Sequence, residues 1–62
     1  MKVKQILKIL KDDGWQLDRT KGSHRQLKHT TKPGVVTVSG KPSDELAAGT
    51  QNSIFKQARL DK

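Results

Sequence analysis

One histidine in this chain stands where it could carry out acid–base chemistry. His24 follows Gly22 and Ser23 directly in the sequence. Lys21 and Arg25 lie on either side of that step. Glycine permits the backbone angles of a tight turn, and histidine can both give and take a proton near neutral pH. Cations beside an imidazole would hold a phosphate close to it. The pattern indicates phosphate chemistry at His24, and the alternative is a solvated polar residue on a strand.

The charge of the chain indicates a polyanionic partner. The 62 residues carry a formal net charge of +7. So large an excess of cations in so short a chain predicts salt-dependent attraction to nucleic acid. The alternative is that surface lysines serve solubility alone. We expect one domain, residues 1–62, with a thin core, because a chain of this length buries only about 60% of its unfolded surface.

Metal, thiol and membrane functions are not indicated by the sequence. The chain contains no cysteine, so it has neither disulfides nor thiolate chemistry. His24 and His29, five positions apart on one strand, cannot share a metal without distortion, and we therefore expect no metal and no cofactor. Lysines interrupt the apolar residues of the N-terminal segment, which predicts neither a signal peptide nor a membrane span. We expect a soluble cytoplasmic protein.

The first half of the chain predicts a helix followed by a strand. Apolar residues at helical spacing indicate an amphipathic helix that ends at Gly14 in a left-handed cap. From Trp15 the period changes to two, and Trp15 and Leu17 are predicted to point inward. Trp15 could stack on a base, but a core role is favoured. The residues of the helical stripe are Val3, Ile6, Leu7 and Leu10.

The second half predicts two more strands and a final helix. A hairpin turn at 21–23 leads into a strand from His24 to about His29, and a Pro-Gly turn precedes a β-branched strand at 35–38. Thr50 is the predicted N-cap of a helix over about 51–58. The fold class is therefore α+β in the order α-β-β-β-α, with two helices on one face of a three-stranded antiparallel sheet.

This arrangement divides the sheet residues between a covered inner face and an open outer face. Arg25 and His29 share the inner face with Leu27, and a structural role is favoured for His29. His24, Gln26 and Lys28 take the outer face. A register slip of one residue would reverse this placement. The predicted outer neighbours of His24 on the flanking strands are Gln16, Asp18, Thr20 and Thr37.

Taken together, these motifs resemble the HicA toxins, small mRNA interferases of bacterial toxin–antitoxin pairs. The resemblance covers nearly the whole chain, and the Gly-Ser-His step combined with the Gly-Thr-led last helix is its most specific part. It rests on Gly14-Trp15, Lys21-Gly22-Ser23-His24 with Leu27, Pro33-Gly34 before Val36-Thr37-Val38, and Gly49-Thr50 leading into Ser53-Ile54 and Lys56-Gln57-Ala58.

The resemblance implies a fold, an activity and a partner. The family has the fold of double-stranded-RNA-binding domains, and its members cleave mRNA as endoribonucleases and so inhibit translation. A HicB antitoxin neutralises them, which implies a free monomer and a hetero-oligomer with the antitoxin. The active histidine of the family maps onto His24.

The residues around His24 suit cleavage of RNA without a metal. The 2′-hydroxyl is the nucleophile, so a histidine is needed only to take its proton or to protonate the leaving oxygen. Cations stabilise the charge that develops on the phosphorane. Gly22 positions the histidine in the turn. The expected phosphate and RNA ligands are Lys21, Ser23, Arg25, Gln26 and Lys28.

The chain departs from the family pattern at two places, and two functions other than RNA cleavage are also compatible with the sequence. Many family members carry a histidine shortly after the third strand, where this chain has Ser39-Gly40-Lys41-Pro42, and Arg59 stands where the family usually has glycine. One alternative function is a non-catalytic RNA-binding module, because this fold recognises RNA by shape and backbone contacts. The other is an interaction protein whose basic face only meets an acidic partner.

Overall fold

The computed structural model describes residues 1–60 and confirms the predicted order of elements. A helix precedes three antiparallel strands, and a second helix follows them. The predicted domain also includes residues 61–62, which lie outside the described residues. The elements are α1 (Val3–Asp12), β1 (Trp15–Lys21), β2 (His24–His29), β3 (Val35–Ser39) and α2 (Ala48–Gln57).

Helix α1 buries its apolar stripe and obtains its N-terminal hydrogen bonds from a distant loop. The backbone N–H of Val3 donates to Asp44 O, and that of Lys4 donates to Pro42 O, both at 3.0 Å. These bonds satisfy donors that a helix leaves free in its first turn. Gly14 ends the helix with φ +105°, as the predicted left-handed cap requires. The loop after β3 is thereby fixed against the start of α1.

The sheet has the order β1-β2-β3, so β2, which carries both histidines, is the central strand. Both helices pack on the inner face of the sheet, where the buried apolar residues form the core. Trp15 is only 1% exposed, which confirms its favoured role in the core. The core residues are Val3, Ile6, Leu10, Trp15, Leu27, Val36, Val38, Ile54, Phe55 and Ala58.

Strand β1 departs from simple alternation. Leu17 pairs with Leu27, as its inward prediction requires, yet it is 53% exposed because it lies on an edge strand that the helices do not cover there. Beyond it, the pairing passes from Leu17↔Leu27 to Arg19↔Gln26, so one residue, Asp18, is extra. This β-bulge shifts the rest of β1 by one position relative to β2.

The start of the last helix was predicted three residues too late. Helix α2 begins at Ala48, and its N-cap is Ala47 in an extended conformation, with no side-chain cap. The N–H of Gln51 donates to Ala47 O at 2.9 Å, so Thr50 already lies within the first turn. The prediction of Thr50 as N-cap was wrong because Ala48 and Gly49 already adopt helical geometry, although no side chain caps them.

Helix α2 ends in a left-handed turn that a non-glycine residue adopts. Arg59 has φ +56°. The N–H of Leu60 donates to Phe55 O at 2.9 Å, and that of Arg59 donates to Lys56 O at 3.1 Å. This is the bonding pattern of a Schellman motif, in which glycine normally takes the left-handed position. The departure at Arg59 thus puts an arginine in a conformation that costs it about 1 kcal/mol relative to glycine.

Candidate functional site

His24 lies at the start of the central strand with its side chain exposed on the outer face. It pairs with Lys21 of β1 on one side and with Ser39 of β3 on the other. Within residues 1–60 its ring makes no hydrogen bond. The imidazole is therefore free to accept or donate a proton to a molecule that lies across the sheet.

The turn before His24 is held by its backbone and leaves its side chains open. Gly22 has φ +60°, and no atom lies within 4 Å of the place where its Cβ would be. The carbonyl of Ser23 accepts a hydrogen bond from the N–H of Gly40 at 3.2 Å, which ties the hairpin to the end of β3. The side chains of Lys21 and Ser23 are exposed. Lys21 is opposite His24 in the strand pairing, and Ser23 directly precedes it in the sequence.

The outer face is exposed, and all of its side chains except Val35 are polar. Its residues follow from the pairings of β2 with both neighbouring strands and from the bulge. Its positive charges are Arg19, Lys21 and Lys28, and its negative charge is Asp18. The full set is Gln16, Asp18, Arg19, Lys21, His24, Gln26, Lys28, Val35, Thr37 and Ser39.

The bulge changes two of the predicted neighbours of His24. Thr20 pairs with Arg25 and so lies on the inner face, where the sequence prediction had it outside. Arg19 takes the outer face instead, opposite Gln26, and this residue was missed. No periodic signal could have found it, because residues 18–21 are all polar and do not mark either face.

Arg25 points away from His24. Its guanidinium Nη1 donates to the carbonyl of Gly40 at 2.6 Å, and the side chain is half-buried on the inner face. This bond fixes the end of β3 and the loop that follows it. Among the predicted phosphate ligands, the structure brings Lys21, Gln26 and Lys28 to the outer face with His24 and leaves Arg25 on the inner face. Ser23 lies in the exposed turn directly before His24.

Within residues 1–60, Lys28 is the one predicted ligand on the outer face that has an ion partner. Its Nζ lies 3.6 Å from Oδ2 of Asp18, and both side chains are largely solvated. An exposed pair of this kind is worth little in stability. It does reduce the net positive charge at the end of the outer face away from the turn.

His29 is bound at both ring nitrogens. Its Nδ1 accepts hydrogen bonds from the backbone N–H groups of Thr31, at 3.0 Å, and Lys32, at 3.1 Å. The other nitrogen, Nε2, therefore carries the proton and donates to Asp13 O at 2.6 Å. The ring also meets Trp15 edge-on, with centroids 5.2 Å apart. These contacts support the structural interpretation of His29.

An ion pair between Lys32 and Asp13 lies next to the hydrogen bonds of His29. Nζ of Lys32 lies 2.6 Å from Oδ2 of Asp13 and also donates to Ala58 O at 3.3 Å. The hydrogen bond from Lys32 lowers the pKa of the Asp13 carboxyl below its ordinary value, against a partial desolvation that raises it. The turn after β2 is thus joined to the ends of both helices.

Two features of the described residues concern metal-binding clusters and helices that could span a membrane. No group of three or more His, Asp or Glu side chains there is close enough to hold a metal ion. Neither helix described is long and apolar enough to cross a bilayer.

The comparisons with known proteins identify the family. The sequence model of a family described as the HicA toxin of bacterial toxin–antitoxin systems matches residues 3–60. A search of curated proteins found no match. The family match spans all five helices and strands and includes His24. Its description implies an antitoxin as partner. The chain belongs to the HicA toxin family.

Proposed function

We propose that this toxin is an endoribonuclease that cleaves mRNA without a metal ion and so inhibits translation, with His24 as its proton-transfer group. The observation that carries the proposal is the exposed imidazole of His24, unbonded within residues 1–60 and flanked by Lys21 and Ser39 on the outer face. The other histidine has both nitrogens engaged and cannot serve.

The reaction uses the nucleophile that RNA carries. His24 takes the proton of the 2′-hydroxyl, whose oxygen forms a bond to the adjacent phosphorus. The bond from phosphorus to the 5′-oxygen breaks, and that oxygen leaves with a proton from imidazolium or water. The products are a 2′,3′-cyclic phosphate and a 5′-hydroxyl. An imidazole suits either proton transfer because its ordinary pKa lies near neutral pH.

The remaining outer residues bind the substrate. Lys21, directly opposite His24, lies where negative charge develops on the phosphorane, and fixed cations are most effective there. We assign to the Ser23 hydroxyl, in the exposed turn before His24, a hydrogen bond to a phosphate oxygen. Gln26 and Lys28 follow His24 on the same face. We assign to them contacts with the RNA further along its chain. Arg25 is not among the ligands that we assign, because its guanidinium is held by Gly40.

The test is the variant His24→Ala. We expect cleavage of a single-stranded RNA to fall about 100-fold or more, and growth inhibition on induced expression to disappear. The side chain is exposed, so the free energy of unfolding should change by less than about 0.5 kcal/mol. Lys8→Ala on the exposed side of α1 is the matched control and should cleave normally. Cleavage by folded His24→Ala at the normal rate would refute the proposal.

Metal independence has its own measurement. Cleavage should continue in EDTA, since the proposed mechanism uses protein groups alone. Loss of activity in EDTA that zinc or magnesium restores would contradict this part of the proposal and leave the role of His24 to be tested separately.

The second candidate is an RNA-binding module without catalysis. One observation favours it: within the described residues, His24 is the only imidazole on the outer face, and the carboxylate there, Asp18, is paired with Lys28. A second proton-transfer group of the kind many family members carry after the third strand is therefore missing. Under this reading RNA binds at the outer face but stays intact, and His24→Ala leaves binding unchanged.

The proposal extends to the partner and the place of action. An acidic surface of a HicB-like antitoxin would cover the outer face and block His24, so we expect a monomer when free and a hetero-oligomer with the antitoxin. Cleavage of mRNA places the protein in the cytoplasm. Protection of the peptide 21–28 from hydrogen exchange in the complex would support this partner surface, and protection confined to the helices would contradict it.

A further inference from the structure

The β-bulge at Asp18 determines which charges lie beside His24. In a regular ladder continuing from Leu17↔Leu27, Asp18 would oppose Gln26 and Thr20 would oppose His24. The extra residue changes this: Arg19 opposes Gln26 and Lys21 opposes His24. A regular ladder would also have set Arg19 against Arg25 on the inner face, where like charges directly opposite destabilise a sheet. The bulge removes that conflict and moves a cation outward.

The bulge brings two cations, Arg19 and Lys21, to the outer face, and neither has an anionic partner among residues 1–60. Asp18 pairs with Lys28 at 3.6 Å. Arg19 and Lys21 are exposed, and neither forms an ion pair within residues 1–60. Lys21 is directly opposite His24. Arg19 is the diagonal neighbour of His24 across the strand pair. A long side chain in a diagonal position can still reach its neighbour.

We propose that Arg19 is a second phosphate-binding residue of the site. It contacts the phosphate next to the scissile one on a single-stranded polyribonucleotide that crosses β1 and β2 near the turn. This inference rests on the proposed function and adds to it the ligand and the path of the strand. Arginine suits the role because its planar guanidinium binds phosphate oxygens in pairs. The neutralised end at Lys28 contributes less.

Binding measured in the absence of cleavage tests the inference directly. A short single-stranded RNA is titrated into His24→Ala and into His24→Ala/Arg19→Ala at several salt concentrations. Loss of one phosphate contact should weaken binding about ten-fold at low salt and make the slope of log K against log salt shallower by about 0.7. Arg19→Lys in the same background should keep the slope but bind more weakly than Arg19.

The matched control removes the same charge from the helix side. Arg59→Gly, in the His24→Ala background, should bind RNA with an unchanged slope, and its fold should gain stability because glycine adopts the left-handed conformation freely. If Arg19→Ala behaves like Arg59→Gly, the inference about Arg19 is wrong.

Kinetics separate failure of this inference from failure of the proposed function. With His24 present, Arg19→Ala should raise KM about ten-fold with a smaller change in kcat, because the contact is made before and during the reaction. An unchanged KM together with inactive His24→Ala would overturn only the role of Arg19. Cleavage by His24→Ala would overturn the proposed function itself.

Discussion

The two histidines of this protein lie on one strand, five residues apart, and they are in opposite situations. His24 starts β2 on the outer face, exposed and unbonded within residues 1–60. His29 ends β2 on the inner face, with Nδ1 accepting two backbone N–H bonds and Nε2 donating to Asp13. An odd separation puts two strand residues on opposite faces.

The difference shows that residue type does not decide the role of a histidine here. The fold uses the acceptor and donor of His29 to join the turn after β2 to the end of α1, which leaves no ring nitrogen for a substrate. At His24 the fold supplies only a position between two neighbouring strands. A chemical role requires free ring nitrogens, as at His24, and a stabilising role requires bonded ones, as at His29.

Replacing His29 should break the comparison most strongly. His29→Ala removes four hydrogen bonds and the edge contact with Trp15, and it leaves the carbonyl of Asp13, two backbone N–H groups and the Thr31 hydroxyl to find water. We expect a loss of about 3 kcal/mol in the free energy of unfolding, measured by urea denaturation. The usual stability per residue gives a domain of this size roughly 3–9 kcal/mol in total, so at the low end of this range we expect part of the variant population to be unfolded without denaturant.

The Arg59→Gly background keeps that measurement possible. Its expected gain of about 0.5–1 kcal/mol raises the starting stability. In that background, the fraction of His29→Ala that is folded should cleave RNA at the normal rate. A stability loss no larger than that of His24→Ala would show that the two histidines are equivalent, contrary to the comparison.

The glycines that accompany the two histidines extend the comparison. Gly14 has φ +105°, and a Cβ there would lie 2.6 Å from Nε2 of His29. Gly22 has φ +60° and open space around it. Gly14→Ala should therefore cost about 2 kcal/mol, from backbone strain and displacement of the imidazole, while Gly22→Ala should cost about 1 kcal/mol from backbone strain alone.

Thermal denaturation of the two alanine variants measures the difference. Cleavage should respond in the opposite order, because Gly22 sets the turn that presents His24 and Gly14 lies on the far side of the sheet. Equal destabilisation would mean that the clash between a Cβ at position 14 and the His29 ring does not affect the free energy of unfolding.

The sequence is sufficient to predict the faces of β2 but not those of β1. In β2, Leu27 is an apolar marker that fixes the alternation, and His24, Gln26 and Lys28 lie where that marker puts them. In β1 the last apolar residue is Leu17, and four polar residues follow. A bulge among them changes no hydrophobic pattern, so the placement of Thr20 and Arg19 could not be predicted from periodicity.

The helix ends show a similar limit. Gly14 was predicted as a left-handed cap because glycine carries that preference in its own structure. Arg59 adopts the corresponding position at the end of α2 because Leu60 packs on the core and its N–H bonds to Phe55 O. Tertiary contacts of this kind override local propensity. The bond from Arg25 to Gly40 is likewise long-range, and nothing near Arg25 in the sequence indicates it.

The smallest effect should come from acid. The carboxyl of Asp13 has a folded-state pKa below its ordinary 3.8, chiefly because of the hydrogen bond from Lys32. A depressed pKa stabilises the fold fully above the unfolded value, and this contribution is lost as the pH falls through the folded value. Wild type should therefore be more stable than Asp13→Asn at pH 7, and the gap should close between about pH 4 and the lower folded pKa. Urea denaturation of both proteins over this range measures the gap. A gap that stays constant with pH would show that ionisation of Asp13 does not stabilise the corner at which Lys32 and His29 meet the end of α1.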